Sequence, residues 1–455
     1  MTKQKRQVKI KVQVDALQQI NLDAAGIDVG ADEVYVAVPP DRDTQSVRSF
    51  PTFTADLYSL ADWLKSCGIK TVAMEATGVY WIPLYEILEE RGFQVCLVNA
   101  RHLKNVSGRK TDVLDCQWIQ QLHTYGLLTP SFRPPEQIVA IRSLVRHREM
   151  LVQYRSAHIQ HMQKALTLMN LRLTNVLSDI TGVTGMNIIR SIISGERNPK
   201  KLAAFREPGC KKNEVEIAKS LEGNYKREHL FALKQAVELY DFYDHQLREC
   251  DAELEKMYRE FDPPEDPGTP PPAPRSHRRR KNQAHFDLGP ALYRMTGVDL
   301  LPIDGLDELT IQKVLCEIGT DMSKWPTVKH FTSWLRLCPN NKITGGKVIH
   351  TGVQPTKNRA TVALKVAAAS LTRSDSALGA YYRRMRARLG PPAAITATAH
   401  KLARIIYIML KERIPYHDFG SDYYELQYRN RVLHNLNRRA AKLGFRLEPV
   451  TERVS

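Results

Sequence analysis

The sequence predicts an α/β domain at the N-terminus, then a long helical region and a mostly helical C-terminal domain. Strand and helix patterns alternate up to residue 134, which is typical of a layered fold with a partly parallel sheet. Beyond it, apolar residues recur at helical spacing over long stretches, and a proline-rich segment interrupts them. A chain of 455 residues has room for two or more such domains.

The elements of the first domain, residues 24–134, follow from periodicity. Residues 24–39 predict two short strands joined by a Gly-Ala-Asp-Glu turn, because Val34, Val36 and Val38 alternate with other residues. The remaining predicted elements are, in order, helix 55–66, strand 70–75, helix 80–91 and strand 94–99. Alternating strands and helices place parallel strands side by side in one sheet.

Two seams of apolar residues predict a coiled coil or a helical hairpin in residues 135–261. One seam runs from Ile159 to Val176 and the other from Leu233 to Met257, each with steps of three and four residues. Such a seam keeps one helix face against a partner. Two arrangements remain open, pairing within one chain and pairing between chains.

A proline-rich segment at 262–285 predicts a flexible linker with a basic end. Its prolines oppose helix formation, and Arg278, Arg279 and Arg280 would repel one another if packed together. These arginines are either solvated or in contact with phosphate. Residues 286–455 then form the C-terminal domain, with helices expected at 310–318 and 394–410.

Charge and cysteine content narrow the function classes. Lys and Arg number 66 against 49 Asp and Glu, giving a net charge of +17, which favours nucleic acid over a membrane as the partner. The basic, polar segment 1–23 lacks the apolar core of a signal peptide. Seven scattered cysteines fit neither a disulfide framework nor a zinc site, so we expect a cytoplasmic protein.

Four carboxylates form the most informative pattern. Asp28 and Glu75 end two apolar strands, where a charge is costly unless it is paired or binds a metal. Asp112 and Asp115 are three residues apart, so on a helix they share a face. Each acid alone has an ordinary structural explanation. Together they suit two hard cations that assist phosphodiester chemistry, and the neighbouring Lys110 is a candidate phosphate contact.

The C-terminal domain contains three candidate contacts with nucleic acid. Gly305 precedes a predicted helix, where its turn either presents backbone N–H groups to a phosphate or serves the core. Thr344 is followed by Gly345, Gly346 and Lys347, a small hydroxyl residue with room for close backbone approach and one cation. The third candidate combines tyrosines with Arg383 and Arg384, which suits a nucleic-acid surface or a solvated helix.

These motifs resemble those of the IS110 family of insertion-sequence transposases, which includes Piv-type invertases and bridge-RNA-guided recombinases. Asp28 in GIDVG, Glu75 in AMEATG, and Asp112 and Asp115 in GRKTDVLDC match its four acidic positions. The resemblance covers nearly the whole chain. It implies an RNase H-like (RuvC-like) fold for residues 24–134, with these acids binding Mg²⁺ or Mn²⁺.

The resemblance also implies a role for Thr344. The family usually has serine there, the nucleophile that becomes covalently joined to DNA. Threonine keeps the hydroxyl but adds a methyl group that restricts χ1 and crowds attack. Three interpretations stay open: a working nucleophile, a weakened natural copy, or a deliberate substitution.

The expected function is site-specific recombination of double-stranded target and donor DNA. The family implies a structured guide RNA, a dimer or tetramer, and a bacterial, nucleoid-associated location in the cytoplasm. Two alternatives remain, a metal-dependent RuvC-like nuclease or junction resolvase, and a catalytically weakened relative that only binds nucleic acid.

Overall fold

The computed structural model describes residues 18–99, 112–261, 281–350 and 352–448. The chain divides into two compact units, one ending at Arg133 and the other beginning at Pro134. The first unit contains a mixed sheet with helices, and the second is mostly helical. The predicted fold class, an α/β domain followed by helical regions, is confirmed.

The first unit is built on a five-stranded sheet of order β3-β2-β1-β4-β5. β1 pairs antiparallel with β2 and parallel with β4, while β2 and β3 are antiparallel and β4 and β5 parallel. The strands are β1 Ala24–Val29, β2 Glu33–Ala37, β3 Val47–Pro51, β4 Thr71–Glu75 and β5 Gln94–Val98. β3 is not predicted from the sequence, because this edge strand has no buried residue and therefore no apolar alternation.

Helices cover both faces of this sheet. α1 (Thr54–Ser66) and α2 (Trp81–Glu90) pack on the face that carries Ile27 and Met74, where the main core of the unit lies. α3 (Asp112–Thr124) packs on the other face, where Ala73, Val98 and Ile119 form a small second core. The turn from β1 to β2 is closed by a hydrogen bond from Gly30 N to Glu33 O of 3.0 Å, as the sequence predicts.

The second unit begins with a hairpin of two 33-residue helices, α4 (Glu136–Leu168) and, further along the chain, α9 (Arg227–Arg259). Arg148 pairs with Asp251 and Arg155 with Asp244, so the helices run antiparallel. The structure thus contains the pairing within one chain. The predicted seam to Val176 was wrong in one respect, because α4 ends before Asn170, whose φ of +58° turns the chain.

Short helices join the two arms of the hairpin. They share a core with the ends of the arms through Met162, Ile188, Leu202 and Leu233. These helices are α5 Leu173–Val176, α6 Val183–Ile193, α7 Pro199–Ala203 and α8 Glu214–Ser220.

The rest of the second unit is a helical bundle with one small β-hairpin. Its helices are α10 Leu288–Thr296, α11 Glu308–Ile318, α12 Val328–Trp334, α13 Arg359–Ser370, α14 Ala377–Leu389, α15 Pro391–Glu412 and α16 Gly420–Lys442. The hairpin consists of β6 Lys342–Thr344 and β7 Lys347–His350. Within the described residues, α15 is the one helix whose length and composition would allow a membrane span. It packs against α12, α13 and α14, and half of its apolar window is buried, as in a core helix.

The end of the proline-rich segment is held by the hairpin helix α9 and by the loop between α5 and α6. Lys281 Nζ lies 3.1 Å from Asp179 Oδ1, and His285 Nδ1 lies 2.7 Å from Asp251 Oδ2. Residues 281–285, which the sequence analysis assigns to the linker, thus have side-chain contacts with the rest of the second unit. Residues 262–280, with Arg278, Arg279 and Arg280, lie outside the described residues.

Candidate functional site

Asp28 and Glu75 lie side by side at the carboxyl ends of two parallel strands. The register pairs Ile27 with Met74, so the next residue on each strand is one of the two acids. Adjacent strands are about 4.8 Å apart, which brings both carboxylates to one edge. Ile27 and Met74 point into the core under α1 and α2, so Asp28 and Glu75 point to the opposite face. Both are partly exposed.

Gly26 allows α3 to lie directly on that opposite face. A Cβ at this position would stand 2.2 Å from Gln120 N and 2.4 Å from Cys116 O, so no other residue fits without moving the helix. A hydrogen bond of 2.8 Å joins Thr71 Oγ1 to His123 Nε2 at the other end of the contact. The helix that carries Asp112 and Asp115 is thus fixed across β1 and β4.

Asp28 and Asp115 share the surroundings of one thiol. Burial raises the pKa of the Cys116 thiol to about 12, and the negative charges of Asp28 and Asp115 add to that rise. Cys116 is fully buried under the sheet and directly follows Asp115 on α3. Asp115 itself is partly exposed, and the described backbone begins α3 at Asp112, one turn earlier. The side chain of Asp112 lies outside the described part.

The three described carboxylates offer only oxygen ligands. Glu75 Oε1 accepts a hydrogen bond of 2.8 Å from Thr77 Oγ1, which orients its carboxylate at the end of β4. An all-oxygen set suits Mg²⁺ or Mn²⁺ by donor chemistry. Within the described ranges, no three His, Cys, Asp or Glu side chains already stand close enough together to hold a metal. The fold thus brings Asp28, Glu75 and Asp115 to one face, without closing them around an ion.

Thr344 lies at the tip of the β6–β7 hairpin, in the second unit. It pairs with Lys347 across a two-residue turn whose glycines, Gly345 and Gly346, have φ of +56° and +78°. These left-handed conformations are those that glycine adopts freely in tight hairpins. All four residues are exposed, and a Cβ on either glycine would meet nothing within 4 Å. The hydroxyl is therefore open to a large substrate.

Comparisons with known families decide the classification. A family model described as a transposase of the DEDD, IS110 type matches residues 25–171, which contain β1, β4 and α3. A second, described as the transposase IS116/IS110/IS902 family, matches residues 299–383, which contain Thr344. The two matches cover just over half of the chain.

The chain belongs to the IS110 family of transposases. Its first unit contains the DEDD transposase domain, and the mixed sheet is of the RNase H-like kind that this domain implies. The protein is accordingly an enzyme that acts on DNA, and the DEDD domain suggests dependence on a divalent metal. No protein of curated function matches the chain.

Two residues predicted to contact nucleic acid, Gly305 and Arg383, also have contacts within the chain. Gly305, with φ of +85°, lies where a Cβ would be 2.8 Å from Ala367 O, so packing against α13 explains this glycine. The following helix, α11, is capped by Asp307, whose Oδ1 accepts from Thr310 N at 2.8 Å. Arg383 Nη1 donates to Ser374 O at 2.6 Å.

Arg384 contacts an acidic and an aromatic side chain of another helix. Its guanidinium forms an ion pair with Glu425 and lies 3.3 Å from the centre of the Tyr428 ring. Both partners are on α16, which linear sequence spacing could not reveal. Lys110, the remaining predicted contact, lies outside the described residues, as do Arg278, Arg279 and Arg280.

Residues that position the acids were missed by sequence reasoning. Gly26 and Gln120 hold α3 against β1, and His123 bonds to β4 through Thr71. A glycine inside an apolar strand is a signal of close backbone approach, and Gly26 could have been found by it. Gln120 and His123 carry no comparable signal.

Proposed function

We propose that this transposase breaks and rejoins DNA strands through a covalent link between the Thr344 hydroxyl and a DNA phosphate. The observation that carries the proposal is the placement of Asp28 and Glu75 side by side under α3, the helix of Asp115. Carboxylates gathered on one face in a DEDD transposase domain support metal-assisted phosphodiester chemistry. The exposed Thr344 supports a protein nucleophile.

The residues that would hold the metal are Asp28, Glu75 and Asp115, with Asp112 added from the sequence pattern. Mg²⁺ or Mn²⁺ would stabilise the negative charge that builds up on the phosphate during strand transfer. Thr77 contributes by orienting Glu75 through its hydrogen bond of 2.8 Å. Gln120 and Gly26 contribute by fixing α3 on β1.

The covalent step balances without a nucleotide cofactor. Oγ1 of Thr344 attacks phosphorus, the bond from phosphorus to a sugar oxygen breaks, and that oxygen leaves as a strand-end hydroxyl. The threonine proton passes to a base or to solvent. A hydroxyl of another strand then attacks the threonine ester, which restores a phosphodiester and frees Thr344. Lys347, paired with Thr344 across the hairpin, supplies a positive charge beside the phosphate.

The proposal also includes the partners of the transposase. Target and donor duplexes, together with a structured guide RNA, would assemble on a dimer or tetramer at the bacterial nucleoid. Family membership supports the DNA partners, and the resemblance to bridge-RNA-guided recombinases supports the RNA. The net charge of +17 suits a complex with much phosphate.

The test is a search for DNA that stays attached to denatured protein. The protein is incubated with Mg²⁺, RNA transcribed from the DNA flanking the gene, and a labelled plasmid that carries the element ends. We expect a labelled protein band for the wild type and none for Thr344→Val, which keeps the shape but lacks the hydroxyl. Cleavage without an attached band would favour the second candidate, a metal-dependent nuclease in which the acids act with water.

A further inference from the structure

Three helices of the second unit converge on two tyrosine rings and a lysine. Lys401 Nζ of α15 lies 4.4 Å from the centre of the Tyr381 ring on α14 and 5.4 Å from that of Tyr424 on α16. The two rings meet edge to face with centres 6.2 Å apart. The ammonium group is therefore in contact with aromatic faces on two sides.

Arg384, on α14, contacts further residues along α16. Its guanidinium lies over Tyr428 and, at 5.9 Å, near Tyr424, and it pairs with Glu425. Its buried Nε has no hydrogen-bond partner within the described residues. This leaves one donor of the guanidinium unused at the junction of α14 and α16.

Further cations surround the same rings. The pKa of Lys401 is lowered, with burial as the largest cause. The positive charges of Arg431 and Arg404 lower this pKa further. Burial raises the pKa of Tyr381, while the charges of Arg388 and Arg404 oppose that rise. These arginines are exposed and come from three different helices. The concentration of positive charge destabilises the protonated lysine, so an anion bound here would be favourable.

We propose that this basic tyrosine cluster, formed by Tyr381, Arg384, Arg388, Lys401, Arg404, Tyr424 and Arg431, binds the phosphodiester backbone of a nucleic acid. Exposed arginines reach phosphates, and the rings between them hold Lys401 and Arg384 in place through cation–π contacts. Lys401, Arg404 and Arg431 lie beyond residue 383, outside both family matches. The cluster lies on α14, α15 and α16, whereas Thr344 lies on the β6–β7 hairpin, so the two are separate candidate contacts. The inference rests on the proposed function in one respect, that the transposase handles nucleic acid.

The test measures binding of the full chain to two fluorescent probes, a duplex DNA of about 30 base pairs and a structured RNA transcribed from the DNA flanking the gene. The test variant combines Arg388→Gln, Arg404→Gln and Arg431→Gln, all at exposed positions. The control combines Lys200→Gln, Lys211→Gln and Lys219→Gln, which removes the same charge from exposed positions outside the cluster. Fluorescence anisotropy at several salt concentrations gives the affinity and its salt dependence.

We expect the cluster variant to bind at least one probe roughly 10-fold more weakly or worse, with a smaller slope of log affinity against log salt. Each lost phosphate contact removes about 0.9 from that slope for duplex DNA and about 0.7 for single strands. The probe that loses affinity identifies the source of the phosphates. Equal losses in the cluster and control variants, or an unchanged slope, would overturn the inference. If the wild type binds neither probe, the proposed function itself fails.

Discussion

The backbone of Gln120 rests directly on Gly26, with room for no side chain between them. A Cβ on Gly26 would stand 2.2 Å from Gln120 N and 2.7 Å from Gln120 Cα, far inside van der Waals contact. Asp28 is two residues further along the same strand, and Asp115 is at the beginning of the same helix. This single contact therefore sets the distance between two of the acids.

Gly26→Ala should separate α3 from β1. Overpacking of this kind costs about 1–3 kcal/mol, and the shift of Asp115 should also abolish metal-dependent cleavage. Thermal unfolding and a plasmid cleavage assay measure the two effects. Gly209→Ala is the control, because Gly209 has no neighbour within 4 Å. Wild-type stability in Gly26→Ala would show that the helix can move aside without cost.

His123 should make the first unit sensitive to acid. Burial lowers the pKa of His123 below its usual value of 6.5, so the folded state keeps it neutral where the unfolded chain is protonated. The unfolded state then binds more protons, and stability is complete above about pH 6.5 and falls as pH drops towards the folded pKa. Urea unfolding at several pH values should show a smaller acid loss for His123→Asn than for the wild type.

Two partly buried histidines act in the same direction, since burial also lowers the pKa of His158 and His400. The informative quantity is thus the difference between wild type and variant. If both lose stability in parallel as the pH falls, His123 does not carry the effect.

Asp251 should be essential to the helical hairpin. Its carboxylate is 1% exposed and accepts bonds from Arg148 and from His285. Asp251→Ala leaves Arg148, itself 6% exposed, without its carboxylate, which costs about 3–5 kcal/mol. In Asp241→Ala an exposed pair with Arg190 is lost instead, at a cost below about 1 kcal/mol. Similar urea midpoints for both variants would contradict this ranking.

Thr344→Ser should raise the rate of covalent attachment. Serine keeps the hydroxyl and lacks the methyl group that restricts χ1 and crowds the phosphorus. The rate at which labelled DNA becomes attached to protein measures this, with Thr344→Val as the variant without a nucleophile. A slower reaction with serine would show that the site is adapted to threonine.

The sequence sufficed for the elements whose side chains repeat regularly. Strands β1, β4 and β5 were predicted within one residue of their observed ends, because their apolar runs end at the acids or at turns. β3 was missed because an edge strand buries little, and the break near Asn170 was missed because the apolar spacing continues past it. The spacing of apolar residues indicates which side chains are buried, but it does not indicate where the backbone turns.

Long-range contacts were beyond sequence reasoning. The four acids could be assigned to strand ends and a helix, but the common face of Asp28, Glu75 and Asp115 depends on how α3 lies on the sheet through Gly26. Sequence patterns assign residues 281–285 to the linker, because no local pattern reveals the ion pairs of Lys281 with Asp179 and of His285 with Asp251. The sequence likewise places Arg384 on an exposed surface, because its partner Glu425 lies on α16, far along the chain.

The most direct test of the central claim compares cleavage of plasmid DNA by single carboxylate variants at fixed Mg²⁺. Asp28→Asn, Glu75→Gln and Asp115→Asn remove one charge each from the common face, and Asp32→Asn removes one from the exposed turn beside it. We predict a loss of cleavage activity of about 100-fold or more in the first three variants and wild-type activity in the fourth. Full activity in any of the first three would contradict the claim that these residues form one metal site.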